Sequence, residues 1–314
     1  MHNAPLVSII IPVFNGSNYV REAIESALSQ TYSNIEVIVV NDGSTDNGAT
    51  ENIILEYKDK ITYIKKENGG VSSALNAGIR NMKGEYFSWL SHDDVYSFDK
   101  VEKQVELLKK YNIPNAVVKS FTRFIDKNSD HIDYMKANPY EKVLPWDDAV
   151  QYVTRKGING CTLLIPKKVF SEVGLFDERL RYCQDTFMWW QIFLNEYSMI
   201  MCDHIGVSSR IHGNQLTRTG SKLYYHDSVL ISDYLIPAFK SKSTVDRNLL
   251  FEYAKREAVY GNSDIVFKCI DEGKENSLIN IREKTVLHIL NLYGRVRPLI
   301  RNLYYRVKHG IRIK

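Results

Sequence analysis

The sequence predicts an α/β fold in which a mostly parallel sheet carries helices on both faces, followed by a helical C-terminal region. Over the first hundred residues, short segments rich in β-branched and aromatic residues alternate with segments whose apolar residues recur at helical spacing. Strands that alternate with helices favour a parallel sheet with helices on its faces. From about Gly220 the pattern is helical almost throughout. We therefore predict two domains, residues 1–219 and 220–314.

Four predicted strands alternate with four predicted helices in the first part of the chain. The strands are expected at 7–14, 35–42, 61–66 and 85–91, and the helices at 19–30, 49–59, 71–82 and 98–111. Beyond residue 111 the pattern is less regular. It predicts strands at 115–125, 161–165, 199–203 and 206–212, and a largely buried helix at 185–197.

The composition is that of a globular protein: 44% of the 314 residues are hydrophobic and 25% are charged, which excludes a disordered or fibrous chain. No apolar run approaches the roughly 20 residues of a membrane span, and the N-terminus has no signal-peptide pattern. We therefore expect a cytoplasmic protein. The four cysteines are scattered without C-x-x-C spacing, so we expect reduced, packed thiols rather than zinc ligands or disulfides.

The net charge of +4 is unevenly distributed. Eight Lys or Arg residues lie from Lys284 onwards, and no Asp or Glu follows Glu283. The remaining 33 Lys and Arg stand against 37 Asp and Glu, so residues 1–283 carry about −4. The basic character of the protein therefore belongs to its C-terminal segment.

Polar clusters follow three predicted strands at the points where they end: residues 12–16, 41–46 and 91–94. Ligands gather beyond the carboxyl ends of parallel strands because loops and helix N-termini converge there. Asn, Asp, Gly and Ser are also ordinary turn and cap formers, which is the alternative interpretation of each cluster taken alone. Three clusters on one edge favour a binding site.

Six segments together resemble family 2 glycosyltransferases: VSIIIPVFN, IEVIVVNDGSTD, ENGGVSSALNAGI, WLSHDD, VGLFDERLRYCQD and SRIHGNQLTR. They cover about residues 5–219 in the order and spacing of the family. The resemblance implies a Rossmann-like GT-A fold and transfer of a sugar, with inversion, from a nucleotide diphosphate sugar.

On the donor side, the resemblance places Pro12, Val13, Phe14 and Asn15 along the nucleoside. It also implies that Asp42 accepts the N3–H of uracil, which favours a UDP-sugar, with thymidine diphosphate sugars as an alternative.

Asn76 falls where the family commonly has Arg-Asn, and Leu75 stands in place of the arginine. The resemblance therefore implies a donor contact by Asn76 without the neighbouring charge. The alternative is an amide on the helix surface.

WLSHDD aligns with the acidic motif of the family, often Leu-Asp-Ser-Asp-Asp, which approaches the ribose and a divalent metal. The resemblance implies that Asp93 binds Mn²⁺ or Mg²⁺, hard cations that prefer oxygen ligands. Asp94 is expected as a second donor contact or as the residue that shapes the loop before the next helix. Ser91 replaces the first aspartate, and His92 takes the middle position, where packing or hydrogen bonding is the alternative to a donor contact.

The family's Arg-x-His pattern occurs here as Arg210-Ile211-His212. On a strand, alternation would place Arg210 and His212 on one face, where a guanidinium can bind phosphate and a neutral imidazole can bind the metal. A histidine that is only hydrogen-bonded in the fold is the alternative for His212.

Inverting transfer needs a carboxylate that deprotonates the acceptor hydroxyl. The resemblance implies Asp185 for this role, with Gln184 where relatives have a second acid. The alternative for Asp185 is a helix N-cap, and the two functions are compatible. Gln184 and Trp189 are candidate acceptor-side residues, although core packing is the alternative for Trp189 and for Trp190.

The C-terminal segment combines an apolar stripe with Arg and Tyr residues, interrupted by Gly294 and Pro298. This pattern suits an interfacial helix on an anionic membrane, and we expect residues 290–314 to bind one. The alternative is a helix docked on the protein with a solvated basic face. Nucleic acid is not an expected partner because no recognition motif accompanies the charge.

These inferences predict a metal-dependent inverting glycosyltransferase. It would move a sugar, most simply from a UDP-sugar, to a hydroxyl of a lipid-linked saccharide in bacterial capsule, O-antigen or exopolysaccharide synthesis, at the inner face of the plasma membrane. Two other classes are considered. The acids missing at Ser91 and Gln184 would fit a catalytically decayed partner or scaffold. A sugar-phosphate nucleotidyltransferase needs a Gly-rich, Arg-containing loop that PVFNGSNYVRE does not supply.

Overall fold

A computed structural model describes residues 4–132, 138–213, 221–241, 248–275 and 279–308. Its strands are β1 (Val7–Val13), β2 (Ile35–Asn41), β3 (Thr62–Lys65), β4 (Tyr86–Trp89), β5 (Val95–Tyr96), β6 (Ala116–Ile125), β7 (Lys142–Leu144), β8 (Leu163–Pro166) and β9 (Ser198–Arg210). The helices of the α/β part are α1 (Val20–Leu28), α2 (Ala49–Leu55), α3 (Val71–Asn81), α4 (Lys100–Tyr111), α5 (Trp146–Lys156), α6 (Val169–Glu172) and α7 (Gln184–Leu194). The C-terminal helices are α8 (Ser221–Ser241), α9 (Asn248–Tyr260), α10 (Ser263–Glu275) and α11 (Ile281–Lys308).

The strands form one sheet in the order β3-β2-β1-β4-β8-β6-β9-β5, and β7 pairs with β9. The first four strands of this order are parallel to one another, as the alternating pattern predicts. β1 lies between β2 and β4 and is buried along its whole length, because helices cover both faces of a parallel sheet. The carboxyl ends of β1, β2 and β4 consequently lie side by side at one edge.

The second half of the sheet is mixed. β8 is antiparallel to β4 and β6, whereas β6 and β9 are parallel. The two strands expected at 199–203 and 206–212 are one strand, β9. It stays continuous because irregularities in its pairing with β6, between Lys119 and Thr122, absorb the change of register.

The α/β part and the helical part are separate compact units. The first comprises residues 1–150 and 158–223, and the second comprises residues 151–157 and 224–314. The predicted boundary between residues 219 and 220 falls within 214–220, which lie outside the described residues.

The second unit shows why Gly294 does not interrupt the last helix. A Cβ atom there would collide with the carbonyl oxygen of Ala258 on α9, so glycine permits a close approach of the two helix backbones. α11 runs continuously through Gly294 and Pro298. None of the described helices is long and apolar enough to cross a membrane.

Candidate active site

The loops after β1 and β2 are joined by hydrogen bonds at the carboxyl edge of the sheet. Asn15, at φ +48°, donates its backbone N–H to Ser44 Oγ (3.0 Å) and accepts the Thr45 N–H at its side-chain oxygen (2.7 Å). Pro12 and Val13 are buried in β1, whereas Phe14 is 43% exposed. The first polar cluster thus presents one aromatic ring and one amide beside the second cluster.

Asp42 is buried in the second cluster and is held by donors from the loop between β3 and α3. Its Oδ1 accepts from Gly69 N (3.0 Å) and Lys66 Nζ (2.8 Å), and its Oδ2 accepts from Gly70 N (2.7 Å). A carboxylate has about four acceptor positions, so these donors use three of them. The remaining capacity lies on Oδ2, which is compatible with one further N–H donor such as N3–H of uracil.

Two cations beside Asp42 were missed in the sequence. Lys66 forms an ion pair with Asp42, and Arg181 Nη1 donates to Gly69 O (2.8 Å). A Cβ atom at Gly70 would lie 2.6 Å from Arg181 Nη1, so the guanidinium rests against this glycine. In the sequence, Lys66 directly precedes the segment ENGGVSSALNAGI, and Arg181 lies within VGLFDERLRYCQD. Neither position distinguishes these residues from other lysines and arginines.

The third cluster forms a tight turn, in which Asp94 N donates to Ser91 O (3.1 Å). This turn directs the Asp93 carboxylate toward β9. Asp93 Oδ2 lies 3.0 Å from His212 Nε2, and each side chain is 15% exposed. The predicted metal ligands, 119 residues apart in the chain, are therefore in direct contact.

Asp94 is buried, and its carboxylate contacts the backbone of β9. The chain then continues into β5 and not directly into a helix. Its Oδ1 accepts the Arg210 N–H (3.0 Å), and the next residue begins β5, which pairs with β9. Burial, reinforced by the negative charge of Asp93, raises the pKa of the Asp94 carboxyl. Asp94 thus fixes the turn to β9, and its predicted donor contact stays a prediction.

Arg210 is completely buried, and its guanidinium joins three parts of the first unit. Nε donates to Asp93 O (2.9 Å), Nη1 donates to Ser129 Oγ (2.9 Å), and Nη2 pairs with Glu22 Oε2 (2.8 Å). The structure therefore places Arg210 as a support of the Asp93 turn. The predicted phosphate contact by this side chain stays a prediction.

Tyr19, which precedes α1, also supports the Asp93–His212 pair. It was not among the residues predicted from the sequence. Its ring lies under the Arg210 guanidinium (4.4 Å from Cζ to the centroid) and packs against the His212 imidazole (5.3 Å between centroids). A guanidinium over an aromatic face is a favourable electrostatic contact. A tyrosine in SNYVRE resembles any other aromatic residue beside a helix, so it could not be singled out from the sequence.

His92 and Ser91 face other groups. A Cβ atom at Gly16 would collide with the His92 ring, so this imidazole packs against the loop after β1. Burial lowers the pKa of His92, which favours the neutral ring. Ser91 Oγ lies 3.4 Å from Cys161 Sγ, a contact within the protein. Donor contacts by both residues stay predictions.

Asn76 is buried on α3 rather than being an amide on the helix surface. Its Nδ2 donates to Phe176 O and to Glu178 Oε1 (both 2.9 Å), and its Oδ1 accepts the Phe176 N–H (3.0 Å). It therefore tethers the loop that leads to α7. The predicted donor contact would have to coexist with this tether.

Asp185 lies in the first turn of α7, where the helix dipole favours a carboxylate charge. Trp189, one turn later on the same helix face, is buried against Gly160, which also contacts Trp89 at the end of β4. Trp189 is thus part of the core, and Gln184 is buried beside Asp185. These contacts fix α7 beside the end of β4, and the catalytic and acceptor roles stay predictions.

The Asp93–His212 pair fits a divalent cation. Adjacent ligands on an octahedral cation with bonds of about 2.1 Å lie about 3.0 Å apart, which matches the separation of the two atoms. Among the described residues no group of three or more His, Cys, Asp or Glu side chains is arranged to hold a metal. A cation bound here would therefore need further ligands, such as donor phosphates and water.

A family model for glycosyl transferase family 2 matches residues 8–170. The match covers more than half of the chain, and the chain belongs to this family. The expectation drawn from the quoted motifs is thereby confirmed.

The chain is similar to two uncharacterized glycosyltransferases of Rickettsia. It is 45% identical to that of Rickettsia prowazekii over 258 residues, which cover 82% of this chain and 80% of the relative. It is 41% identical to that of Rickettsia felis over 298 residues, which cover 93% of this chain and 48% of the relative. The chain thus spans about half the length of the latter.

Two solved structures share the fold. TarS of S. aureus (residues 1–349), in complex with UDP-GlcNAc, matches with a TM-score of 0.70 at 15% identity, over 98% of this chain and 93% of TarS. GalNAc-T7 with UDP, GalNAc and Mn²⁺ matches with a TM-score of 0.54 at 15% identity, over 68% of this chain and 45% of that one. The GT-A fold class is confirmed, with a helical C-terminal region after it.

Proposed function

We propose that the protein transfers a sugar, with inversion, from a UDP-sugar to a hydroxyl group of a saccharide acceptor, assisted by Mn²⁺ or Mg²⁺. The observation that carries this proposal is the pairing of Asp93 with His212, at the sheet edge where Asp42 directly follows β2. Relatives bearing the name glycosyltransferase, and a UDP-GlcNAc complex of a protein with the same fold, support it.

On the donor side, Asp42 would accept the uracil N3–H, with Phe14 and Asn15 along the nucleoside. Lys66 and Arg181 lie close to Asp42 and place positive charge where a nucleotide would bring negative charge. Leu75 stands where the family commonly has an arginine, so a charged donor contact from that position is absent.

Asp93 and His212 would hold the cation, whose charge stabilises the departing diphosphate. Arg210 and Tyr19 keep these two side chains in register, because one contacts the Asp93 backbone and the other contacts the His212 ring. Asp94 would hold the turn at residues 91–94 against β9, because its carboxylate accepts the Arg210 N–H.

In the transfer step, the Asp185 carboxylate takes the proton of the acceptor hydroxyl. The acceptor oxygen forms a bond to the anomeric carbon as the bond from that carbon to the diphosphate oxygen breaks. UDP leaves on the opposite side of the sugar ring, so the configuration inverts. The proton remains on Asp185 until water removes it.

We further propose a lipid-linked saccharide as the acceptor, and capsule, O-antigen or exopolysaccharide synthesis at the inner face of the plasma membrane as the setting. The basic C-terminal segment supports this choice, because an anionic membrane attracts it.

The test is turnover of a panel of nucleotide sugars with Mn²⁺, by wild-type protein and by Asp185→Asn. We expect the variant to lose about 10³-fold in turnover with unchanged affinity for UDP, because only proton transfer is removed. Asp177→Asn is the matched control, since Asp177 lies in the loop before the same helix and pairs with Arg179.

Undiminished turnover by Asp185→Asn would remove the assigned base. Failure of the wild type to bind any nucleotide sugar would favour the decayed partner or scaffold suggested by Ser91 and Gln184. A nucleotidyltransferase would instead release pyrophosphate from a nucleoside triphosphate and a sugar phosphate.

A further inference from the structure

The last helix, α11, packs by one face and leaves an apolar stripe on the other. Leu287, Asn291 and Gly294 are buried, one turn apart along the inner face. Ile281, Ile289 and Leu292 are 86%, 63% and 64% exposed on the opposite face. The solvated side of the helix carries these apolar residues together with exposed Arg282, so it is neither wholly basic nor wholly apolar.

This apolar stripe extends along the helix. At about 100° per residue, positions 281, 282, 285, 289, 292, 293 and 296 fall within about 120° of the circumference. All of them except Thr285 and Arg282, which lies near one edge, are aliphatic or tyrosine. In the sequence, Leu299, Ile300, Leu303 and Val307 continue the same spacing. At about 1.5 Å per residue, the 28-residue helix is about 42 Å long.

Basic residues border the stripe on both sides. Lys284 and Arg295 lie along one border, where Arg295 Nε also donates to Ser263 Oγ (2.7 Å), and Arg282 lies near the other. The sequence continues with Arg297, Arg301, Arg306 and Lys308. No Asp or Glu follows Glu283. A membrane-surface helix has this arrangement, with apolar side chains facing the acyl region and cations facing anionic headgroups.

We propose that α11 binds an anionic lipid bilayer through the stripe centred on Ile289 and Leu292, lying parallel to the membrane surface. The inner face of the helix stays packed in the second unit during binding, so the protein docks without unfolding. The surface begins at Ile281, earlier than the segment 290–314 expected from the sequence. The proposal stands on α11 and needs no assumption about the donor or acceptor.

The test is co-sedimentation of the full chain with phosphatidylcholine vesicles, with and without phosphatidylglycerol. We expect binding only to vesicles with phosphatidylglycerol, about fivefold weaker for Arg282→Gln, because each cation near the surface is worth about 1 kcal/mol. Ile289→Ser/Leu292→Ser should lower the partition coefficient at least about tenfold. The matched control is Leu55→Ser/Phe98→Ser, which removes two exposed apolar side chains from the first unit.

Thermal unfolding monitors whether each variant folds, and Ile281→Ser, at the most exposed position of the stripe, gives a second variant outside the packed face. The proposal is overturned if wild-type protein binds neither vesicle, or if the stripe variants bind like the control. It is also overturned if the stripe variants instead abolish self-association in light scattering, which would identify a second copy as the occupant. UDP binding by the same preparation tests the proposed transfer separately.

Discussion

Asp42 and Asp93 lie in the loops that follow β2 and β4, the two strands that flank β1, yet the protein holds them in different ways. The Asp42 side chain is 4% exposed and is bonded by two backbone N–H groups and Lys66. The Asp93 side chain is 15% exposed and contacts the His212 imidazole. Asp42 is therefore held by backbone donors 27 and 28 residues away in the chain, whereas Asp93 contacts a residue 119 residues away, just beyond β9.

This difference has a consequence for ligand binding. If Asp42 binds a nucleobase as proposed, its backbone donors stay in place, so the acceptor geometry is preorganised. On the metal side, the partner of Asp93 is itself a candidate ligand, and a cation would replace a hydrogen bond by two coordination bonds. Substitutions should therefore separate nucleoside binding from metal binding.

The largest expected effect is on metal binding by His212→Ala. Removing one of two candidate protein ligands should weaken Mn²⁺ binding about 100-fold, while uridine binding changes less than about twofold. Mn²⁺ electron paramagnetic resonance and uridine calorimetry measure the two quantities. His204→Ala is the control, because His204 lies on β9, the strand that leads to His212, but contacts Ser97 and Asp99. Equal Mn²⁺ affinity of wild type and His212→Ala would remove His212 from the metal site.

Asp42→Asn should act on the other side of the comparison. Its amide nitrogen cannot accept from Gly70 or from N3–H of uracil, so uridine binding should weaken about tenfold, with Mn²⁺ binding unchanged. Asp46→Asn is the control in the same loop, where the carboxylate accepts from Thr50. Wild-type affinity for uridine in Asp42→Asn would show that another group reads the base.

Arg210→Lys should separate Asp93 from Asp42 further, because Arg210 supports the turn that carries Asp93. A lysine ammonium cannot contact Asp93, Ser129 and Glu22 at once in the geometry of a guanidinium. We expect a lower melting temperature and about fivefold weaker Mn²⁺ binding, with uridine binding intact. Arg123→Lys, at an exposed arginine bonded to Ser208, is the control. Loss of UDP binding with unchanged Mn²⁺ binding would instead identify Arg210 as a phosphate ligand.

The smallest expected effect is on the pH dependence of the free energy of unfolding. It arises from Lys100, which lies beside β4, the strand that leads to Asp93. Lys100 Nζ is buried beneath β4, where it donates to Ser88 Oγ and Gln104 Oε1, and burial lowers the pKa of this lysine to about 7. An unfolded lysine titrates near pH 10.4, so between about pH 7 and 10 the unfolded chain binds more protons than the folded chain. The free energy of unfolding should therefore increase with pH across this window.

Lys100→Met should remove this dependence and stabilise the protein by about 1–2 kcal/mol near pH 7, as urea unfolding at several pH values would show. Lys103→Met, on the exposed side of the same helix, should keep it. A pH dependence that persists in Lys100→Met would assign it to another group.

Much of the fold could be predicted from local patterns. Strand and helix periodicities located β1 to β4 and α1 to α4, because a two-residue and a 3.6-residue repeat are visible in consecutive residues. The path of β9 could not be predicted, since its continuity depends on pairing with β6, about eighty residues earlier in the chain. The same limit applies to Gly294, where a helix breaker by composition is the point of closest helix packing.

The sequence by itself determined the alternating strands and helices, the family, and the three polar clusters at one edge of the sheet, because each of these is written in short segments. Only the tertiary structure decided what the polar side chains contact. It paired Asp93 with His212, buried Arg210 and Asn76 as supports, placed Tyr19 and Arg181 beside the site, and exposed the apolar stripe of α11. These outcomes depend on which surfaces meet across long stretches of chain, and the chemistry of a single side chain does not specify that meeting.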